Sequence, residues 1–212
     1  MNESPGAQAR ARTTGRSVVV NAKADSTGDN HRAKRGGDPK GDRPSESRQA
    51  EGLAAKWEPL LLRAGCSRSV IAHARAVTAL ALGFTDNPVV NRDLVIAGAM
   101  LHDIGRGATH GIDHAQRGTS IARSCGVDEP VVSIIERHIG AGLTADECSL
   151  EGLVPRDCIP ATLEEKIVAN ADNLVQGSRA GTIEGTLEGG IRLKRRIRRR
   201  IYRLWEEMEA LR

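Results

Sequence analysis

After residue 50, apolar positions recur along the chain at helical spacing, and strand-like alternation is scarce. The spacing predicts helices at 53–62, 68–82, 92–101, 114–125, 131–139, 162–176 and 191–212, with a short one near 145–150. Pro59 is a candidate kink in the first of them. Ser67 and Asn91 are predicted N-caps, and the Thr162–Glu165 pair forms a capping box. The fold class predicted from this pattern is all-α.

Two of these helices have distinctive patterns. Residues 94–101 are almost entirely apolar, as is typical of a helix at the centre of a bundle. The last helix is amphipathic and basic, with lysine and arginine crowding residues 194–203 beside an apolar stripe. Residues 177–190, directly before this last helix, are rich in glycine and are predicted to be a connector with weak local structure.

The first 50 residues contain no Leu, Ile, Phe, Trp or Tyr, so they cannot bury enough apolar surface to offset the entropy of ordering. We therefore predict three parts: a disordered basic extension at 1–50, a helical domain at 51–180, and the connector with the basic helix at 181–212. The whole formal charge of +4 lies in the extension. A basic arm that touches nucleic acid is one interpretation, and a solvated extension is the favoured one.

Composition predicts the type of core and the cellular compartment of the protein. Aromatic residues make up 2% of the chain, so the core must be aliphatic. The four cysteines form no C-x-x-C pair, which favours free thiols in a reducing compartment. No segment has the roughly 18 apolar residues of a membrane span, and the N-terminus lacks the apolar centre of a signal peptide. These features predict a cytoplasmic protein.

Candidate chemistry begins where the central helix ends, at His102 and Asp103. Neighbours in a helix interior point about 100° apart, but at a frayed last turn they can converge. Imidazole and carboxylate together suit a divalent ion such as Fe, Mn, Co, Ni or Zn. His73 and Asp172 also lie within apolar helices, where a carboxylate is costly unless it is paired or coordinated. Two histidines and two aspartates that converge would satisfy such an ion and leave positions open for water and substrate.

The order His73, His102-Asp103, Asp172, with the motifs Leu-His-Asp-Ile-Gly and Ala-Asp-Asn-Leu, resembles the HD-domain metal-dependent phosphohydrolases of the HDIG subgroup. The resemblance covers about residues 53–176 and extends to uncharacterised archaeal members. It implies a single HD-type helical bundle. It also implies that the domain binds one or two divalent ions, which would be Fe, Mn, Co, Ni, Zn or Mg.

The resemblance assigns roles to individual residues. Its implied ligands for one ion are His73, His102, Asp103 and Asp172. A second ion would take His114 and His138, with Asp103 as the bridge, although many members have two adjacent histidines where this chain has His138-Ile139. His110 is a looser candidate, because Gly111 argues against a helix that starts early enough to pair it with His114.

The implied reaction is attack on a phosphoryl group by water whose pKa the ion lowers toward ~7. Asp103, Arg106 and Lys166 are the predicted catalytic residues: Asp103 would orient the water, and the two cations would stabilise charge on phosphate oxygens. Arg117 is a weaker candidate. For Arg106, Arg117 and Lys166, the simpler interpretation is a solvated surface charge.

Three functions compete. The leading hypothesis is a phosphohydrolase or phosphodiesterase acting on a nucleotide-like or other small phosphorylated molecule. One alternative is a di-iron HD-type oxygenase. Another is a non-enzymatic nucleic-acid-binding module that uses the basic C-terminal helix; against it, the chain has few aromatic rings to stack on bases. We expect that helix to pack its apolar stripe on the domain or on a second copy of the chain, with its arginines solvated.

Overall fold

The computed structural model describes residues 46–211, and the described residues are mainly helical, as expected for an all-α fold. The predicted extension at 1–50 lies almost wholly outside this range. Within residues 46–211, ten α-helices follow one another: α1 (Glu46–Ala55), α2 (Glu58–Arg63), α3 (Arg68–Ala81), α4 (Arg92–Leu101), α5 (His114–Ser124), α6 (Glu129–Arg137), α7 (Ala145–Leu150), α8 (Leu163–Leu174), α9 (Ile183–Gly189) and α10 (Arg195–Glu209).

The short elements complete the order. Single 3₁₀ turns follow α3, at Leu82–Phe84, and α4, at Ile104–Gly107. After α8, strands β1 (Val175–Gln176) and β2 (Arg179–Ala180) pair antiparallel, with Val175 opposite Ala180. This small hairpin separates α8 from α9.

Capping explains where three of the helices begin. Ser67 and Asn91 accept hydrogen bonds from the backbone N–H of Val70 and Leu94, at 3.4 and 3.1 Å. Thr162 and Glu165 form the expected reciprocal capping box at the start of α8. These side chains satisfy backbone donors that have no partner within the helix, so the predicted starts are confirmed.

Two parts of the local prediction were wrong. The single helix at 53–62 is split into α1 and α2, because the chain turns at Lys56 and Trp57 and Pro59 lies in the first turn of α2, where its missing N–H costs nothing. The connector at 177–190 holds regular structure, namely β2 and α9, and Thr182 caps α9 through the N–H of Gly185.

Among the described residues, two large apolar clusters form most of the core, with a smaller third one around α7, and α4 belongs to both large clusters. Val95 and Ala99 pack in the first cluster with α8 and α10, whereas Ile96 and Met100 pack in the second with α2 and α6. Every residue of α4 from Val95 to Leu101 is buried, so it is the central helix that the sequence predicts. The end of this helix therefore lies inside the bundle.

The basic helix α10 is part of the domain. Its apolar stripe is buried in the first cluster through Ile201, Leu204 and Met208, which confirms that the stripe packs on the domain. It packs mainly against α8 and α9. The expectation that its arginines are solvated was wrong for Arg196 and Arg200, which pair with the buried Glu147 on α7. None of the described helices combines the length and the apolar composition that a membrane span requires.

Candidate metal centre

His102 and Asp103 converge because the helix changes pitch between them. His102 is the C-cap of α4, and Asp103 opens the 3₁₀ turn with φ −99° and ψ 17°. The His102 Nε2 and Asp103 Oδ2 atoms lie 3.7 Å apart, and both residues are buried. Adjacent residues thus face one site, as the sequence predicts for a frayed helix end.

His73 and Asp172 reach the same site from α3 and α8. His73 Nε2 lies 2.9 Å from Asp172 Oδ1, and His102 Nε2 lies 3.4 Å from the same oxygen. Asp172 is only partly buried, with 21% of its side chain exposed. The four residues of the predicted first metal group therefore come together from three helices.

His114 and His138 approach Asp103 from its other side. Their Nε2 atoms lie 3.2 and 3.6 Å from Asp103 Oδ1 and 3.0 Å from each other. His114 is the first residue of α5, and His138 is the C-cap of α6. All six sequence-predicted ligands therefore form one cluster, with Asp103 at its centre.

The four histidines are oriented in one way. The Nδ1 atom of each lies 2.7–2.8 Å from a backbone carbonyl oxygen, which takes its proton; the acceptors are Gly177 for His73, Ala99 for His102, Gly111 for His114 and Ile135 for His138. A proton held on Nδ1 leaves the Nε2 lone pair free, which is how proteins prepare imidazole ligands.

These carbonyls are the residues that the sequence reasoning missed. Three of them lie three positions before their histidine, and that spacing is a usable signal wherever a histidine ends or begins a helix. The fourth, Gly177, lies beyond α8 in the turn between β1 and β2, and no local pattern points to it.

The cluster has the donor set for a divalent cation. Three overlapping groups have ligand atoms within 4.8 Å of one another: His73, His102 and Asp103; His102, His138 and Asp172; and Asp103, His114 and His138. The Nε2 atom of His102 is buried and has no hydrogen-bond partner among the described residues, although the two carboxylates are near. With both Nδ1 atoms protonated, the Nε2 lone pairs of His114 and His138 face each other. A bound cation would satisfy all three atoms.

Electrostatics within the cluster favour a positive charge. Burial opposes the ionisation of Asp103, but His102, His114 and His138 hold the pKa of its carboxyl far below the usual range. Asp172 has the same balance, with His102 and His73 lowering its pKa. Burial also opposes the charging of His102, yet Asp172 and Asp103 raise its pKa to about 9. The two carboxylates thus require a cation, which can be protons or a metal.

Gly105 lies where the turn after Asp103 packs against the start of α5, which carries His114. A Cβ atom at this position would clash with the carbonyl oxygen of His114 and crowd the backbone nitrogen of Gly118. Glycine is therefore required for the turn after Asp103 to lie against the first turns of α5.

Among the predicted cations, Arg106 contacts the cluster. Its Nε donates to Asp103 Oδ1 at 3.1 Å, and its guanidinium also donates to the His110 carbonyl oxygen. Lys166 instead pairs with Glu207 on α10, its Nζ lying 2.6 Å from Oε1. Arg117 pairs with Asp113 on the exposed side of α5. The His110 side chain is exposed and belongs to none of the three ligand groups found among the described residues.

Comparison with known proteins places this cluster in a family. The HD domain family matches residues 70–176, which include all six clustered residues. An uncharacterised protein of Methanocaldococcus jannaschii is 46% identical over 129 residues, which cover 58% of this chain and 76% of that protein.

Two tRNA (cytidine(56)-2'-O)-methyltransferases are also similar. That of Thermoplasma volcanium is 46% identical over 120 residues, and that of Picrophilus torridus is 47% identical over 110 residues. These matches cover 57% and 52% of this chain, but only 36% and 32% of the methyltransferases. The shared region is therefore about a third of each enzyme.

Two solved structures of the HD domain of the L. monocytogenes phosphodiesterase PgpH, one of them in complex with cyclic-di-AMP, align with TM-scores of 0.45 and 0.44. Their sequence identities are 18% and 17%; the alignments cover 75% and 76% of this chain and 96% and 95% of those chains. The family match and the match to the M. jannaschii protein decide the assignment: the chain belongs to the HD-domain family.

Proposed function

We propose that the protein is a metal-dependent phosphohydrolase or phosphodiesterase that acts on a nucleotide-like or other small phosphorylated substrate. The observation that carries this proposal is the position of Asp103. Its Oδ2 faces His102, and its Oδ1 faces His114 and His138. One carboxylate thus lies between two sets of ligands, as a bridge between two ions would.

In this proposal His73, His102 and Asp172 would hold one ion together with Asp103, and His114 and His138 would hold a second. A bound divalent ion supplies Lewis-acid polarisation of a phosphoryl group and lowers the pKa of water. The chain's own part is to fix the ligands. The backbone carbonyls hold each imidazole in one tautomer, and the apolar bundle around α4 keeps bulk water from the buried side.

Arg106 is proposed to bind phosphate oxygens. Its side chain is 29% exposed and already lies against Asp103. A planar guanidinium in that place can hold Asp103 with one edge and present its remaining donors to a substrate oxygen. Positive charge fixed next to the reacting phosphoryl group stabilises the charge that develops there.

Lys166 is proposed for the same task from α8, six residues before Asp172. Its described ion pair with Glu207 is partly exposed, so exchange of that partner for a substrate phosphate would cost little. Release from Glu207 is therefore part of the proposal for Lys166.

The names of the two methyltransferases bring RNA into the substrate class. Because the shared region covers only about a third of those enzymes, their methyl transfer is not assigned to this chain. A phosphate ester borne by a nucleotide, either free or at an RNA end, has the chemistry that the cluster suits. Both forms belong in a substrate panel.

The test is hydrolysis by metal-loaded protein of phosphomonoesters, cyclic phosphates, dinucleotides and RNA with terminal phosphates. We expect Asp103→Asn to lower kcat by at least about a thousandfold, because metal catalysis supplies several kcal/mol. The control is Asp86→Asn, which removes an exposed carboxylate outside the site and should leave kcat unchanged.

Failure would take either of two forms. Full activity in Asp103→Asn would contradict the proposed site. Absence of turnover on the whole panel, together with oxygen consumption by an iron-loaded sample, would favour the oxygenase alternative over hydrolysis.

A further inference from the structure

The outer face of α10 carries a row of three arginines, Arg195, Arg199 and Arg203. They are spaced four residues apart and all are exposed. At 1.5 Å rise per residue, successive members are separated by about 6 Å along the helix, and the row spans about 12 Å. Arg192 and Lys194, just before α10, are also exposed.

The fold does not use these charges. On the flank of α10 toward α7, Arg196 and Arg200 both pair with the buried Glu147, so these two charges have a structural partner. Within residues 46–211, by contrast, no ion pair is formed by Arg195, Arg199 or Arg203. Like charges four residues apart on a helix repel each other, so the row weakens the helix that carries it.

The charge also runs against the polarity of the helix. Acidic residues stabilise the start of a helix and basic residues its end. In α10 the first turn has no acidic residue and the last turn has no basic one. Because the acids Glu206 and Glu207 follow the arginines, positive charge gathers where the helix dipole is already positive. Helix stability does not account for this order, whereas a bound polyanion would compensate for it.

The surroundings of the row limit the kind of polyanion. The apolar stripe of α10 is buried in the domain, so the helix cannot insert that stripe into a lipid surface. One flank is fixed by Glu147 and by the Lys166–Glu207 pair. Too little of the circumference is free for the helix to enter a DNA major groove as a recognition helix.

What the row can contact is a phosphate backbone lying across it. Its spacing is comparable with the separation of neighbouring phosphates along a strand, and guanidinium groups bind phosphate with paired donors. Tyr202 on the same face is 39% exposed and lies beside Trp205, with ring centroids 5.5 Å apart. An exposed ring next to a basic row suits an unstacked base, which structured RNA offers in its loops.

We propose that the outer face of α10 binds RNA through its phosphate backbone. This surface needs no metal and is separate from the histidine–aspartate cluster. Loss of RNA binding and loss of hydrolysis are therefore distinguishable results. A short link exists between the two regions, because Arg200 donates to the Gly142 carbonyl oxygen in the turn that follows His138.

The experiment measures fluorescence anisotropy of a labelled RNA hairpin and a labelled tRNA transcript with the full chain, free of metal, over a range of salt. For Arg199→Gln/Arg203→Gln we expect Kd to rise roughly 10- to 100-fold at about 0.1 M salt. The slope of log Kd against log salt should fall by about two, one unit for each lost phosphate contact.

The matched control is Arg63→Gln/Arg68→Gln, which removes the same charge from exposed positions on α2 and α3. It should bind within about twofold of the wild type, since its charges lie outside the row. Circular dichroism checks that α10 stays helical in both double variants.

Several outcomes would overturn the proposal. They are no RNA binding by the wild type at low salt, equal losses in the two double variants, and tighter binding of duplex DNA of matched length. Competition by polyglutamate as effective as that by RNA would also reject it and would identify an acidic protein as the partner.

Discussion

Asp103 and Glu147 are both buried carboxylates, with 8% and 4% of their residue surfaces exposed, but their partners differ in kind. Glu147 accepts hydrogen bonds from the backbone N–H of Thr144 and from Arg200, and it pairs with Arg196. Apart from Arg106, the partners of Asp103 are the imidazole nitrogens of three histidines.

The difference lies in whether the partners can lose their charge. The guanidinium groups around Glu147 are always protonated, so that carboxylate is neutralised by the fold itself. Histidines carry a positive charge only when they are protonated, and neutral ones offer lone pairs to a carboxylate that already has lone pairs. A buried acid among arginines is thus complete, whereas a buried acid among histidines requires a cation. Only the second arrangement indicates a ligand.

The largest expected effect is stabilisation by metal. After treatment with a chelator, addition of Mn²⁺ at about 100 times its Kd should raise the Tm of the wild type by roughly 5–10 °C. Glu147→Gln should show the same rise from a lower starting Tm, and Asp103→Asn should show almost none. A thermal melt with and without metal measures this. An equal rise in all three proteins would remove the distinction between the two carboxylates.

A smaller effect is expected at Glu147. Replacement by Gln should lower the free energy of unfolding by about 1–2 kcal/mol at pH 7, since Arg196 and Arg200 remain partly solvated. The pKa of Glu147 is held below its ordinary value of 4.5, because the Thr144 N–H and Arg200 outweigh burial. The wild type therefore loses this contribution as the pH falls below about 4.5, and its advantage over the variant should shrink toward pH 3.

Urea unfolding at pH 7 and pH 3 provides the measurement. Glu151→Gln, at an exposed position just after α7, is the control and should change stability little at either pH. A constant difference between wild type and Glu147→Gln at both pH values would show that its charge contributes nothing.

The smallest effect concerns Lys166, which pairs with Glu207 in the structure and binds a substrate phosphate in the proposal. If the ion pair with Glu207 is only structural, Lys166→Ala and Glu207→Ala should each change the free energy of unfolding by less than about 1 kcal/mol. Both variants should then keep the kcat/KM of the wild type. In the proposed role, Lys166→Ala instead lowers kcat/KM by roughly tenfold, while Glu207→Ala leaves it unchanged or raises it. Steady-state kinetics on the two variants separates these cases.

Local sequence signals accounted for much of the fold. The caps at Ser67, Asn91 and Thr162 are interactions within one turn, and the uninterrupted apolar run of α4 required a central position. Such features depend on neighbours in the chain, so a single sequence contains them. The sequence indicated a kink at Pro59, but the full break between α1 and α2 was not predicted, because the apolar periodicity continues across the turn.

The residues of the candidate site could be predicted from the sequence, but the partners that position them could not. Buried polar residues in apolar helices stand out, and the resemblance linked them. The acceptor of the His73 Nδ1 proton, Gly177, and the partner of Lys166 come from segments 104 and 41 residues away. Contacts at such separation depend on how the elements pack, which apolar spacing does not specify.

Gly105 has a consequence for attempts to re-engineer the site. Because its backbone touches that of His114, the separation between the two proposed ligand groups is set by main-chain contact and not by the choice of side-chain rotamer. A library that varies the proposed ligands changes the donor atoms within one fixed frame. A library that varies Gly105 changes the frame itself, so we expect this side-chain-free position to tolerate substitution as poorly as the ligands do.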